Sequence, residues 1–159
     1  MLVLSQLAIN AVPAQEIAKY TMSGSDAACH PEIEEALKQH LRHELVKRAH
    51  RRLPTTYVHL ARMVGVSPLG EIGIIGKTLK HLMEEDVDRG RPLVTALAVS
   101  SFGRGLPASW FFRKARDLEK FVGHCEGVEA YAFHTTELQR AISYYRLPDA
   151  RDSEETGCQ

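Results

Sequence analysis

Basic and polar side chains recur at helical spacing in the middle of the chain. Lys77, Thr78, Lys80 and His81 lie in a segment whose apolar residues repeat every three or four positions, which indicates an amphipathic helix. Ammonium, hydroxyl and imidazole groups on the solvent side of a helix can bind phosphate oxygens or the edges of bases. Two or three basic residues are also ordinary on a solvated helix, so both interpretations stay open.

A second set of such groups lies where neighbouring segments begin and end. Thr55, Thr56 and Tyr57 open a predicted helix, whose N-terminal amides can bind a phosphate. Arginines precede that helix and flank a later glycine-rich turn, where a guanidinium can enter the minor groove of DNA. These arginines are Arg51, Arg52, Arg89, Arg91 and Arg104.

The sequence offers no residue set typical of an enzyme or a metal site. It has no phosphate-binding loop and no evident Ser/His/Asp arrangement. His40 and His43 are three residues apart, but no further ligands complete a metal pattern. A cluster of acids is expected to form a solvated turn rather than a Mg²⁺ site. Its members are Glu84, Glu85, Asp86 and Asp88. We therefore expect no catalytic residue, no metal and no cofactor.

The net charge is zero, but the charges are unevenly distributed. Residues 38–120 hold 16 Lys and Arg against 8 Asp and Glu, whereas the other residues hold 4 against 12. A basic middle can bind a polyanion even when the total is neutral. Three cysteines without framework spacing favour a reducing compartment. No apolar run approaches the roughly 20 residues of a membrane helix, and the apolar start lacks the cationic residues of a secretory signal. We therefore expect a cytoplasmic protein.

The first half of the basic middle predicts three helices. PEIEEALKQHLRHELVKRAHRR has acids near its start and bases near its end, as the helix dipole favours, and Pro54 stops it. TTYVHLARMV follows, capped by Thr55 or Thr56. After GVSPLG, which contains two glycines and a proline, a third helix runs from about Glu71 to Glu85.

The pattern then changes. PLVTALAVSS, from Pro92, is rich in β-branched residues and predicts a strand, and FGRGLP predicts a turn. ASWFF either forms a second strand or opens the next helix, and its aromatic residues are expected in the core. RKARDLEKFV and TTELQRAISYYRL predict helices, and EAYAFH between them predicts a short strand or an extended segment. Tyr144 and Tyr145 are expected to pack the last helix.

Helix, short helix, glycine-containing turn, helix and strand pair is the order of a winged helix-turn-helix. LPTTYVHLARMVGV, IIGKTLKHL and RPLVTALAVSSFGRG resemble the DNA-binding half of the alkylguanine DNA alkyltransferases and the alkyltransferase-like proteins. The resemblance covers about Arg52 to Gly105 and implies DNA binding. The reactive P-C-H-R motif of that family is absent, so alkyl transfer is not expected. PLVTALAV followed by GRGLPASWFF is also similar to a group of uncharacterised bacterial proteins.

These patterns predict an α+β protein with a winged helix-turn-helix core and extra C-terminal helices. Residues 1–31 are expected to form an N-terminal arm or linker, residues 32–147 the winged-helix-like domain, and residues 148–159 an acidic flexible tail. Met22 is an alternative start, which leaves open whether residues 1–21 belong to the native protein.

The expected function is non-catalytic, regulator-like binding of double-stranded DNA by the third helix and the wing. A homodimer would form through TTELQRAISYYRL, and no contact with a membrane is expected. The alternative is a protein-interaction module on the same scaffold, such as an adaptor or a mobile-element inhibitor of a host nucleoprotein.

Overall fold

The computed structural model describes residues 31–66 and 72–146. This part of the chain consists mostly of five α-helices, joined by one 3₁₀ turn and two short strands that pair in parallel. The architecture is therefore compatible with the predicted α+β class. The predictions for residues 1–30, including the arm, and for the acidic tail lie outside the described residues.

The first helix, α1, spans Pro31–Arg51, as the sequence predicts. Its buried residues repeat every four positions and are Leu37, Leu41, Leu45 and Ala49. Val46, one residue after Leu45, is only partly buried against the same core. Strand β1 (Thr55–Thr56) and helix α2 (Tyr57–Met63) follow. The Thr56 hydroxyl accepts the His59 backbone N–H at 3.2 Å, so Thr56 is the cap of α2.

Helix α3 spans Ile72–Asp88 and runs three residues past the predicted end. Ile75, Leu79 and Leu82 are fully buried, whereas Lys77 and Lys80 are exposed. The predicted division of this helix into an apolar and a basic side is confirmed for these residues. The three extra residues bring Asp86 into the helix, in phase with its buried side.

The predicted strand from Pro92 is mostly wrong. Val94–Leu97 form a 3₁₀ turn, and only Ala98–Val99 form strand β2, which pairs in parallel with β1. The segment is buried on all sides, and side chains rather than a second sheet neighbour bind its backbone. The Leu93 N–H donates to Glu137 Oε2 at 3.2 Å, and the Val94 N–H donates to Asp86 Oδ2 at 3.0 Å.

A third side chain binds the same segment from the opposite end. His134 Nε2 lies 2.8 Å from the Ala96 carbonyl oxygen, and since a carbonyl can only accept, the imidazole donates. Burial lowers the pKa of His134, although the bond to Ala96 opposes this shift. The ring is therefore neutral at physiological pH, with its proton on the nitrogen that faces the segment.

Two helices complete the described chain. Helix α4 spans Ser109–Asp117, so ASWFF opens a helix and not a strand, and helix α5 spans Val128–Tyr145. EAYAFH lies within α5, and the predicted extended segment is wrong. Its first turns are helical because Ala130 and His134 continue the buried side that Glu137 and Ala141 form.

The aromatic residues of these helices are distributed unevenly. Phe111 and Phe112 are buried, as predicted. Trp110 and Tyr145 pack on the core from its edge, whereas Tyr144 is exposed, against the prediction. None of the helices in the described ranges is both long enough and apolar enough to cross a bilayer.

Candidate nucleic-acid interface

Two stretches of the described chain contain bases but no acids. Residues 45–66 hold five Lys and Arg without an Asp or Glu. Residues 89–116 hold six, also without an acid. Cations that have no acidic neighbours in sequence give a positive surface only if the fold leaves them without acids in space as well.

The fold joins these two stretches side by side. Thr55 pairs with Ala98 and Thr56 with Val99. Because the strands are parallel, the segments that follow β1 and β2 leave the sheet at the same end. Just beyond that end the Tyr57 hydroxyl accepts the Ala108 backbone N–H at 3.1 Å, and the rings of Tyr57 and Trp110 lie 5.7 Å apart. We use the name junction face for the residues that flank this pair and the Tyr57–Ala108 bond in the chain, namely 48–59, 100–106 and 108–113.

The junction face carries arginines that the fold leaves available. Arg51, Arg52 and Arg104 are exposed, and within the described residues none of them forms an ion pair with a carboxylate. Arg52 and Arg104 have positive φ angles of 56° and 49°, a region that favours glycine. Strained backbone is tolerated where the surroundings hold it, often at functional sites.

Arg48, which sequence analysis did not select, belongs to the same surface. Its guanidinium lies 2.6 Å from His59 Nε2, and since a guanidinium can only donate, the imidazole nitrogen accepts. The contact fixes the last turn of α1 against the first turn of α2. Arg113 is a further exposed cation that sequence analysis missed, and it donates to the Ser109 hydroxyl at 3.2 Å. Arg48 lies in the acid-free residues 45–66 and Arg113 in the acid-free residues 89–116, and this is the sequence signal that indicates them.

The basic residues predicted on α3 do not form one surface. Lys80 Nζ lies 5.9 Å from the centre of the Trp110 ring, a cation–π contact beside the junction face. Lys77 and His81 instead turn to Glu34 of α1, at 3.2 Å and 3.1 Å. Thr78 is 1 % exposed, and its hydroxyl donates to the Ile74 carbonyl at 2.9 Å. The prediction that Thr78 faces DNA is therefore wrong.

Arg89 and Arg91 also lie away from the junction face. Arg89 pairs with Glu85 at 3.1 Å, and Arg91 contacts Asp86 at 3.2 Å and Glu85 at 3.5 Å. Arg42 completes the set with a 2.7 Å bond to Asp86. The expected solvated turn of acids is wrong here, because Asp86 is fully buried and Glu85 is largely covered by cations. Lys114 pairs with Glu84 in the same region.

The polar groups predicted at the start of α2 already have partners. Thr55 is buried in the strand pair, the Thr56 hydroxyl caps the helix, and the Tyr57 hydroxyl binds Ala108. Burial raises the pKa of Tyr57 to about 12, so its hydroxyl stays protonated at neutral pH. These three residues therefore stabilise the structure of the junction face, and their hydroxyl groups are not free to bind a phosphate.

Comparisons with known proteins add no relative from which a role could be transferred. No family model, no curated protein and no solved structure matches this chain. Within the described residues, no group of three or more His, Cys, Asp and Glu side chains is arranged to hold a metal ion.

The Tyr57–Ala108 bond gives a first prediction. Tyr57→Phe removes the acceptor of the Ala108 N–H and is expected to lower the free energy of unfolding by about 1–2 kcal/mol, because a half-buried donor is left unpaired. Urea unfolding measures the change. Tyr131→Phe, on an exposed tyrosine, is the matched control and should leave stability unchanged. Equal stability of the two variants would show that the bond does not hold the two stretches together.

Proposed function

We propose that this protein binds double-stranded DNA through the junction face and catalyses no reaction on it. The observation that carries the proposal is that the β1–β2 pair joins two basic stretches in which Arg51, Arg52, Arg104 and Arg113 are exposed and form no ion pair with an acid of the described residues. Exposed arginines from separate segments can each bind a different phosphate. A groove of duplex DNA presents phosphates of two strands to one protein surface, which suits such a distribution.

The pairing of four acids of α1 and α3 with cations supports the same proposal. The alternative, a module whose acids contact a basic partner protein, needs acids that share a free surface. Glu84, Glu85 and Asp86 instead bind lysine and arginine side chains, and Glu34 binds Lys77 and His81. These acids are thereby removed from competition with phosphate for the arginines of the junction face.

We further propose that α2 and α3 act as a helix-turn-helix pair in which residues 100–106 take the place of a wing. The order of elements that favours this fold is α1, β1, α2, α3, then β2 and the loop. Where the sequence predicts the strand pair of a wing, the described residues contain the parallel β1–β2 pair. In this proposal the loop and the end of α1 provide the main contacts with DNA, and α3 contributes Lys80.

Homodimerisation through the C-terminal helix stays a prediction. The buried residues of α5 face its own core, and its exposed positions include the polar residues Thr135, Thr136, Gln139 and Ser143. A dimer through this helix would therefore bury polar residues together with the exposed Tyr131 and Tyr144.

The proposal predicts salt-dependent binding. A fluorescently labelled random duplex of about 20 base pairs, titrated with the protein at about 50 and 200 mM salt, should show affinity that falls about 100-fold between the two. Four neutralised phosphates give a slope of about −3.6 in log K against log salt. Fluorescence anisotropy measures both quantities.

The matched control is the same titration with poly-glutamate, a polyanion without grooves or phosphates. Binding of the duplex with much weaker binding of poly-glutamate is the expected result. Absence of binding to the duplex at the lower salt concentration would contradict the proposal and favour a protein partner instead.

A further inference from the structure

The loop between β2 and α4 is closed by its own hydrogen bonds. The Ser100 N–H donates to the Leu106 carbonyl at 2.9 Å, and the Leu106 N–H donates to the Gly103 carbonyl at 2.9 Å. The Gly103 N–H returns to the Ser100 carbonyl at 3.2 Å. The Ser100 hydroxyl also accepts the Phe102 N–H at 3.3 Å. Four bonds within seven residues leave this loop little conformational freedom.

Glycines allow this closed conformation. A Cβ at Gly103 would lie 2.5 Å from the Leu106 carbonyl oxygen. This distance is shorter than a Cβ–oxygen contact can be, so only glycine fits here. Gly105 has a φ of 86°, which other residues rarely adopt. The sequence FGRG thus specifies a defined loop shape rather than a flexible linker.

This shape holds one large aromatic side chain in water. Phe102 is 97 % exposed, and its own N–H donates to the Ser100 hydroxyl within the closed loop. Folding normally buries phenylalanine, because its apolar surface is unfavourable in water. Arg104 follows two residues later, also exposed, with its backbone in the left-handed region. An apolar ring and a guanidinium, two residues apart, are therefore both exposed on a short loop that its own hydrogen bonds close.

We propose that Phe102 inserts as a wedge between adjacent base pairs from the minor groove and that Arg104 enters the groove beside it. The inference rests on the proposed DNA binding and adds how the DNA is held. Apolar side chains that enter a base step unstack it and bend the duplex, and arginine binds the negative potential of the minor groove. Charge favours DNA as the partner, because Arg104 and Arg113 are exposed cations of residues 89–116, whereas Arg89, Arg91 and Lys114 of the same stretch pair with acids of α3.

The experiment uses the full chain and a random duplex labelled with a donor at one end and an acceptor at the other. Wild-type protein should raise the efficiency of energy transfer, since a bent duplex brings its ends together. Phe102→Ala should bind about tenfold more weakly, keep the salt slope and fail to raise the transfer efficiency. Phe102→Leu should restore part of both effects, because leucine can also act as a wedge.

Val122→Ala is the matched control, since Val122 is 92 % exposed but lies in the connection between α4 and α5. It should leave affinity and bending unchanged. Salt-dependent wild-type binding with identical affinity and bending in Phe102→Ala would overturn the wedge and leave the proposed function standing. Tighter binding to the single strand than to the duplex, lost in Phe102→Ala, would overturn it in favour of stacking on unpaired bases. No wild-type binding at all would remove the proposed function itself.

Discussion

Replacing Asp86 with alanine is expected to lower the free energy of unfolding by about 3–5 kcal/mol. The carboxylate is fully buried, accepts bonds from Arg42 at 2.7 Å and from the Val94 N–H at 3.0 Å, and pairs with Arg91 at 3.2 Å. Its removal takes one of the nearby negative charges away from two largely covered guanidinium groups. It also leaves one buried amide N–H without an acceptor. Urea unfolding of the purified variant measures the loss.

Two further variants make this result specific. Asp86→Asn keeps an oxygen for the Val94 N–H but removes the charge, so it should lose less stability than Asp86→Ala. Asp88→Ala changes an exposed acid on the same turn of α3 and should alter the free energy of unfolding by less than about 0.5 kcal/mol. Similar losses in Asp86→Ala and Asp88→Ala would show that the buried network contributes nothing of its own.

The expected loss comes from leaving partners unpaired and not from a large intrinsic strength of the ion pair. Burial raises the pKa of Asp86, while the Val94 N–H and Arg42 oppose that rise, so desolvation offsets much of the attraction. The main effect of the carboxylate is to fix the positions of three elements relative to one another. It binds α1 through Arg42, α3 through its own backbone and the central segment through Val94, and that segment leads directly into β2 and the loop of the junction face.

Helices α1, α2 and α3 could be predicted from the sequence because their signals are local. Apolar residues at helical spacing, a threonine cap and a proline stop lie within a few residues of the boundaries that they set. The conformation of the segment from Pro92 could not be predicted in the same way. Its β-branched residues favour a strand, but its actual conformation depends on Glu137, Asp86 and His134 from other elements. No local pattern contains that information.

The position of Asp86 in the sequence predicts that this acid is buried. Asp86 lies seven residues after Leu79 and four after Leu82, which places it on the buried side of α3. A carboxylate at a core position needs cationic or hydrogen-bonding partners, so its phase alone predicts a buried network. The identity of those partners, Arg42 and Arg91, follows only from how α1 packs on α3.

The candidate site was only partly accessible from the sequence. Arg51, Arg52 and Arg104 were selected because of their charge, and the fold leaves them exposed. Lys77 and His81 are candidates for the same reason, but both pair with Glu34. Glu34 lies more than forty residues earlier in the chain. Charge and spacing identify cations, whereas tertiary packing decides which of them remain available for a ligand.

Reversing the charge at the end of α1 is expected to weaken DNA binding about 30- to 100-fold. Arg51→Glu/Arg52→Glu removes two of the proposed phosphate contacts, which should reduce the steepness of the salt dependence by about two units. The carboxylates would also repel the phosphates. Anisotropy titrations at several salt concentrations measure the slope as well as the affinity, and urea unfolding checks that the variant remains folded.

The charge-matched control decides which surface binds. Lys77→Glu/Lys120→Glu changes the net charge by the same amount, at exposed lysines that lie outside the junction face. If DNA responded only to the total charge of the protein, both variants would bind equally weakly. If α3 were the recognition helix, the lysine variant would lose more affinity because Lys77 lies on it. A large loss and a flatter salt slope in the arginine variant alone would locate the phosphate contacts on the junction face, since only a direct contact changes the number of counterions released.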